Sequence, residues 1–381
     1  MTSSGGGIAV VMPRGMRFSP AGATSIDLYA HEIAQASRHA PGMTVFAEGI
    51  DDAFADVHAR FWTPGAGMAA RAKLIAEARP RLVVVHQHLP SAVELARRLE
   101  GTPVALIRHN FIKPPRGAFS RWRRRRQFSR LAALGFVSEC CRDAFRGDWP
   151  EVALPVFVAP NGIDTAAWQP AAEKRRRIVF TGRLAPEKGV LEAVRALAAV
   201  LPRYPDWDAV LTLATAPRTD GYDTAVRAAV AATEGRVKVL ENLAHAEIRP
   251  IIAEAAIALA PTQTAEPFGR IAIEALASGA ALIATRRGGF VEVVGDAGVL
   301  VWPPSAEAIA DALHGLIADP VRRARLAALG PARIAGRYDL ASAAAAFDAM
   351  VDELIAPPSS GRPAVRRGVS DRASGTNMLR S

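Results

Sequence analysis

The stretch Glu266-Pro-Phe-Gly-Arg-Ile-Ala-Ile-Glu274 constrains this chain most, because it sets a tight turn and a helix start between two short apolar runs. Upstream, residues 251–261 read as an Ala/Ile-rich passage from helix into strand. Downstream, residues 280–285 read as a short buried strand ending at Gly288 and Gly289. A helix between two buried strands is a βαβ unit, whose ligands bind at the carboxyl ends of the strands. Pro267 suits the first helical turn, where its missing N–H is not needed, and Gly269 allows close approach to the backbone. The N–H groups of Phe268, Gly269 and Arg270 are then free to face an anion, with the helix dipole adding roughly 0.3–1 kcal/mol. Glu266 can accept from sugar hydroxyls, and Glu274 from a second hydroxyl-bearing part of the same ligand, such as a ribose. The structural alternative makes Glu274 a polar helix residue and Glu266 a capping charge.

A second anion site is expected earlier in the chain. Residues 178–181 read as a buried strand, Gly182 as its turn, and residues 190–200 as an amphipathic helix. Arg183 and Lys188 therefore fall on a loop at a strand's carboxyl end, where a guanidinium fork and a mobile ammonium together neutralise a diphosphate. Isolated loop cations are otherwise solvated; two such loops in one α/β domain favour the ligand.

Arg183 with Lys188, the segment Pro160-Asn-Gly-Ile-Asp164, and the Glu-Pro-Phe-Gly run with its paired glutamates resemble the retaining, nucleotide-sugar-dependent glycosyltransferases of family 4. The resemblance is strongest over residues 155–335 and continues, weaker, through the N-terminal half. It implies an α/β protein of the GT-B fold, two Rossmann-like doubly wound domains facing across a cleft. It also implies no cofactor and no required metal, the nucleoside diphosphate sugar being the substrate. Carried onto this chain, Arg183 and Lys188 hold the diphosphate, Glu266 the donor sugar hydroxyls and Glu274 the nucleotide ribose. His109, which follows a strand at residues 104–108, matches a family histidine beside the donor sugar and joins Glu266, Arg183 and Lys188 as the expected catalytic set. Pro267, Phe268, Gly269 and Arg270 complete the donor site. The family usually places paired glycines in the first βα loop, whereas this chain has Gly22-Ala23, so Gly22 is the expected donor contact there.

A length of 381 residues fits two domains of about 160 residues each with tails. Residues 1–7 are expected to be a flexible N-terminus, 8–165 the acceptor-side domain, 166–176 a linker, and 177–337 the nucleotide-sugar-binding domain. Residues 338–356 form a helix returning to the first domain, and 357–381 a disordered basic tail too poor in apolar residues to offset ordering entropy. Within the first domain, strands are expected at 8–12, 82–86, 104–108, 134–138 and 156–159, with helices at about 24–38 and from Ser91. Loops 214–222 and 241–247 are expected to set base and hexose selectivity. His86 and His88 alternate on an extended segment but lack a third ligand, which argues against a metal site, and the adjacent Cys140 and Cys141 give no disulfide framework. No run of about 18 uncharged apolar residues occurs, and the first residues lack the features of a signal peptide. The expected location is the cytoplasm, with peripheral attachment to the inner face of the cytoplasmic membrane through the basic segment described next.

The formal net charge of +10 is concentrated between residues 108 and 130, where Arg108, Lys113, Arg116, Arg121, Arg123, Arg124, Arg125, Arg126 and Arg130 occur without an acidic residue. Phe119, Trp122, Phe128 and Leu131 interleave with these cations, which suggests a basic amphipathic segment with aromatic anchors. The segment lacks any nucleic-acid recognition module, so nucleic acid is not the expected partner. Arg121, Trp122, Arg123, Arg124, Arg125 and Arg126 are read as a membrane or acceptor surface, since each basic side chain near an anionic leaflet contributes on the order of 1 kcal/mol. A solvated helix face is the alternative.

The resemblance implies transfer of a hexose-type sugar from a nucleoside diphosphate to a hydroxyl of a glycan or lipid-linked acceptor, in polysaccharide or lipopolysaccharide synthesis. An epimerase on the same fold and a noncatalytic, membrane-associated sugar-nucleotide binding protein are the competing readings.

Overall fold

The computed structural model describes residues 6–16, 18–49, 51–217 and 219–356, and the extreme N-terminus and the basic tail expected at 357–381 lie outside them. Its first sheet contains β1 (Ile8–Val11), β2 (Met43–Glu48), β3 (Ala59–Trp62), β4 (Leu82–His86), β5 (Val104–Arg108), β6 (Ala133–Phe136) and β7 (Val156–Val158). Between them run α1 (Ser25–Ala36), α2 (Met68–Glu77), α3 (Leu89–Arg98), α4 (Ala118–Phe128) and α5 (Glu139–Asp148). Every pairing is parallel, in the order β3-β2-β1-β4-β5-β6-β7.

The second sheet contains β8 (Arg175–Arg183), β9 (Asp208–Ala214), β10 (Val237–Glu241), β11 (Ala255–Ala260), β12 (Ala281–Thr285) and β13 (Gly298–Val301). Its helices are α6 (Val190–Val200), α7 (Tyr222–Ala231), α8 (His245–Glu254), α9 (Arg270–Ala277), α10 (Gly289–Val294), α11 (Ala306–Ala318) and α12 (Pro320–Ile334). The order is β10-β9-β8-β11-β12-β13, again all parallel. In each sheet the winding reverses beside the first strand, between β1 and β4 and between β8 and β11, which opens a crevice at the carboxyl edge.

The apolar runs have a direct cause. A parallel sheet is covered on both faces, so its central strands bury every residue, as all of β4, β11 and β12 do. Val84, Ala105 and Ile107 pack toward α1, while Val83, Val85 and Leu106 pack toward α3, Phe128 and Phe145. The first of these cores continues into Phe268, Ala272 and Leu276 of the second domain. A last helix, α13 (Leu340–Ile355), lies against α1 and β4, where the Ser37 hydroxyl donates to Asp348 at 2.5 Å.

Several local expectations are corrected. β8 starts at Arg175, inside the interval read as linker, and pairs with β9 as far as Arg183↔Ala214. Gly182 is therefore a strand residue and Arg183 the last residue of the strand, because ladder pairing continues past the expected turn. α9 begins only at Arg270, because Gly269 takes a left-handed φ of 96° that interrupts helical geometry, so Pro267 precedes the helix rather than opening it. α3 begins at Leu89 with His88 as its N-cap, and β6 ends at Phe136 because Ser138 caps α5. No helix among the described residues is long and apolar enough to cross a membrane.

Candidate active site

A cleft of about 570 Å³ lies between the carboxyl edges of the two sheets. Gly22 and His109 line it from the first domain, and Arg183, Lys188, Glu266, Pro267, Phe268, Gly269, Arg270 and Glu274 from the second. Residues separated by up to 252 positions thus meet in one crevice, and Arg121–Arg126 do not line it.

Arg183 and Lys188 are held by the ends of β8 and β11. Lys188 closes a short 3-10 turn, Pro186–Lys188, and its Nζ lies 2.8 Å from Glu266 Oε2. The next residue, Gly189, has a φ of 69°, and a Cβ there would meet the Pro261 carbonyl oxygen at 2.0 Å. Only glycine lets this turn press against the end of β11, which brings Lys188 to Glu266. Arg183 is more open and pairs with Glu187 at 2.9 Å.

At the start of α9, the Ala272 amide donates to the Gly269 carbonyl and the Gly289 amide to the Glu266 carbonyl. The amides of Phe268, Gly269 and Arg270 have no acceptor among the described residues, so this turn offers three free donors at the helix start. Gly269 has a further role: a Cβ there would meet the Phe290 ring at 2.1 Å, so packing as well as ligand approach demands glycine. Gly22, at φ 68°, has open space where its Cβ would be.

Glu274 is buried, 4% exposed, and its Oε1 accepts from His245 Nε2 and from Arg270 Nε, both at 2.9 Å. Burial pushes the carboxyl up, but the hydrogen bonds and charges of His245 and Arg270 outweigh it and hold the group below the usual carboxylate range. Both bonds fall on Oε1, which leaves Oε2 for a ligand hydroxyl. The Arg270 guanidinium also reaches Glu32 on α1, at 2.7 and 2.5 Å. Sequence reasoning used only the Arg270 amide and treated His245 as part of a selectivity loop. The Arg270–Glu274 spacing of one helical turn was a usable signal for the ion pair.

On the facing domain, His109 Nε2 meets His86 Nδ1 at 2.8 Å, and the His109 amide donates to Gln87 Oε1 at 3.0 Å. Gln87 sits at φ 61°, a left-handed conformation uncommon outside glycine that turns its backbone here. Burial, then the charge effects of His86 and Arg108, hold His109 well below the usual histidine range, and burial lowers His86 to about 3. Both imidazoles are neutral, so one donates and the other accepts. His86 Nε2 is buried without a partner among the described residues, a position suited to a bare lone pair rather than an N–H. His86 Nδ1 therefore donates to His109 Nε2, which leaves the proton of His109, a cleft-lining residue, on Nδ1. His86 and His88 engage different partners, His88 bonding Ser91 at 2.7 Å.

The domains also touch through the Ser138 hydroxyl, which donates to the Pro267 carbonyl at 2.5 Å. Glu292 accepts from the first amides of α5, Glu139 and Cys140, at 3.2 and 2.9 Å.

α4 corrects the reading of its anchors. Phe128 and Leu131 are core residues, 0% and 6% exposed: Phe128 packs on Phe145 and Trp149, and Leu131, just past the helix, joins the same core. Phe119 and Trp122 are 72% and 51% exposed and stack on each other, with Arg126 over the Trp122 ring at 5.1 Å. Arg121 is tied inward to Glu151 at 2.6 Å and to the Asp148 carbonyl at 2.9 Å, while Arg123, Arg125 and Arg126 remain exposed.

Comparison with known proteins agrees with this geometry. Residues 27–167 match the profile "Glycosyltransferase Family 4" and residues 175–319 the profile "Glycosyl transferases group 1". An alpha-maltose-1-phosphate synthase of Mycolicibacterium smegmatis is 32% identical over 280 residues, covering 63% of this chain and 70% of that protein. The chain is a family 4 glycosyltransferase. A phosphatidyl-myo-inositol mannosyltransferase of the same organism is 30% identical to this glycosyltransferase over 189 residues, 47% of each chain. Among solved structures, Anabaena HepE in complex with UDP superposes with a TM-score of 0.76 at 18% identity, covering 91% of the glycosyltransferase and all of HepE. Sucrose-phosphate synthase of Thermosynechococcus elongatus gives 0.72 at 19% identity, covering 91% and 99% of the two chains. Both share the GT-B architecture of two facing Rossmann-like domains.

Proposed function

We propose that this glycosyltransferase moves a hexose-type sugar from a nucleoside diphosphate to a hydroxyl of a glycan or lipid-linked acceptor, with retention of anomeric configuration. The observation that carries the reading is the convergence of Lys188, Arg183, the unpaired amides of residues 268–270 and two carboxylates on one cleft. Support for a nucleotide-sugar donor comes from HepE, whose solved structures include complexes with UDP and with UDP-glucose.

In this reading the diphosphate lies against Arg183, Lys188 and the amide turn, which neutralise the charge that grows on it as the glycosidic bond breaks. These fixed donors take the place a divalent cation would otherwise fill. Glu266, oriented by Lys188, accepts from the donor sugar hydroxyls, and Glu274 Oε2 from the ribose. His109 donates through Nδ1 to the sugar, and the open backbone at Gly22 faces the same ligand. Among the described residues of the cleft, the carboxylates are Glu266 and Glu274, and both are already engaged by cations. Neither is assigned as nucleophile; the resemblance to family 4 suggests instead that the leaving phosphate itself helps to take the acceptor proton.

The exposed face of α4 is proposed to rest on an anionic membrane, placing the enzyme peripherally on the inner face of the cytoplasmic membrane. A role in lipopolysaccharide or other polysaccharide synthesis fits the similarity, 27% over 219 residues, to a lipopolysaccharide core biosynthesis mannosyltransferase of Rhizobium meliloti. The test is incubation of the purified chain with labelled nucleotide sugars, with and without a lipid-linked acceptor extract, in EDTA. Acceptor-dependent transfer with the donor anomer retained is the expected result. Isomerised donor without transfer, or binding without turnover, would replace this proposal with an epimerase or a sensor.

A further inference from the structure

A cationic cluster stands on the carboxyl edge of the first sheet, beyond His109 and outside the donor-side residues. Its members are Arg14 after β1, Arg71 on α2, His88 after β4, Arg108 at the end of β5, and Arg124 on α4. β1, β4 and β5 are neighbours in the sheet, α2 packs on α3, and α3 packs on α4, so the topology gathers these groups. The charges of Arg108, Arg14 and Arg71 all bear on His88 and, after burial, hold it below the usual histidine range.

The buried guanidinium groups of this cluster are incompletely used. Arg71 is 4% exposed, lies over the Trp62 ring at 4.7 Å and donates from Nε to the Ala66 carbonyl at 2.8 Å. Its Nη2 is buried without a hydrogen-bond acceptor among the described residues, and the Glu48 carboxylate is 3.6 Å away. Arg108 donates from Nη1 to the Gln87 carbonyl, but its Nε is buried and has no partner among the described residues. Among the described residues, Glu48 is the carboxylate whose charge acts on Arg71, against the like charge of Arg14. Buried donors left unpaired beside surplus positive charge are costly unless something supplies acceptors.

Gln87 connects this cluster to the cleft. Its carbonyl accepts from Arg108 while its side-chain Oε1 accepts from the His109 amide, and its left-handed backbone allows both. Through Gln87 the cluster adjoins His109, which lines the cleft. We infer that Arg14, Arg71, His88, Arg108 and Arg124 form an anion subsite, and that the acceptor carries a phosphate ester there. A phosphate offers three oxygens to several guanidinium forks, which a neutral glycan cannot. The inference rests on the glycosyltransferase reading above and names its acceptor class.

The test uses the full chain with its nucleotide crevice saturated by whichever of UDP, GDP or ADP binds. Glucose, glucose 1-phosphate and glucose 6-phosphate are titrated by calorimetry and phosphorus NMR, alongside phosphatidylcholine vesicles with and without polyprenyl phosphate. The expected result is binding of a phosphorylated probe at least about tenfold tighter than glucose, weakened severalfold in the exposed-site variant Arg14→Gln and in Arg124→Gln, with nucleotide affinity unchanged. Preference for the sugar phosphates assigns a soluble phosphorylated acceptor, and preference for the polyprenyl vesicles a lipid phosphate. If nucleotide binds but no phosphorylated probe is preferred, or if the preference survives in both variants, the subsite does not exist. Failure of every nucleotide to bind would instead remove the donor assignment.

Discussion

Arg270 of the second domain grips Glu32 of the first with both terminal nitrogens, at 2.7 and 2.5 Å, while its Nε holds Glu274. The bridge is nearly buried, with side-chain exposures of 9% for Arg270 and 18% for Glu32. Removing one partner of such a pair leaves an uncompensated charge, at a cost of about 3–5 kcal/mol. Arg270→Met should therefore destabilise the chain by about that amount in urea unfolding, because it strands two carboxylates together. Glu32→Gln, which leaves Arg270 one carboxylate, should cost less. Equal stability of wild type and Arg270→Met would show that the bridge contributes nothing.

Lys188 carries a second expectation. Its ammonium pairs with Glu266 at 2.8 Å and lines the cleft, where the proposed donor's diphosphate charge would develop. Lys188→Gln should lower kcat/KM on the order of a hundredfold, the effect typical of removing one preorganised donor to a developing anion. Arg183→Gln should lose less, since Arg183 is 65% exposed and its charge is screened by water and by Glu187. Wild-type kcat/KM in Lys188→Gln would refute the assignment.

Much of this was legible in the chain itself, and the limits were physical. The central strands announce themselves through apolar runs, at 82–85 in β4, 104–107 in β5, 178–180 in β8 and 281–284 in β12, because both faces of a parallel sheet are covered. The strands with no sequence expectation include β3 and β10 at the sheet edges, where Arg60, Lys238 and Glu241 interrupt half-exposed segments and hide the pattern. The second domain's cleft-lining residues, Arg183, Lys188, Glu266 to Arg270 and Glu274, were readable because the two turns that hold them are local. The Arg270–Glu32 bridge and the His86–His109 pair were not, since their partners lie 238 and 23 positions apart and meet only through the fold. Phe128 and Leu131 were misread as surface anchors because local charge density says nothing about which side of α4 the core occupies.

The histidine pair should give stability a pH dependence. Both folded-state pKa values lie below the free value of about 6.5, so below that pH the unfolded chain binds more protons than the folded one. Stability is then complete above about pH 6.5 and falls as pH drops toward the folded value of His86, about 3, by ~1.4 kcal/mol per pH unit for each histidine. His86→Asn, which retains a donor where Nδ1 stands, should flatten this slope by one histidine's share and keep more turnover than His86→Phe. Denaturation curves at pH 7 and pH 5 check the slope. Identical slopes in wild type and His86→Asn, or equal turnover in the two variants, would deny the pair its role in orienting His109.

The outer face of α4 makes the last prediction. Phe119 and Trp122 stack with their rings in water, and burying such surfaces in an interface is worth about 25 cal/mol per Å². Arg123, Arg125 and Arg126 lie on the same helix and can each gain on the order of 1 kcal/mol from an anionic leaflet. Arg121 is excluded from this sum because Glu151 already pairs with it. The chain should float with phosphatidylglycerol vesicles and not with phosphatidylcholine vesicles, and the attachment should weaken as salt rises. Phe119→Ser with Trp122→Ser should lower vesicle binding at every salt concentration, because those rings contribute burial rather than charge. Replacing Arg123, Arg125 and Arg126 with Gln should instead abolish the distinction between the two lipids. Neither variant touches the core beneath α4, where Phe128 packs on Phe145 and Trp149, so unchanged melting separates lost membrane contact from unfolding. Equal flotation of wild type with both vesicle types would leave α4 a solvated helix face.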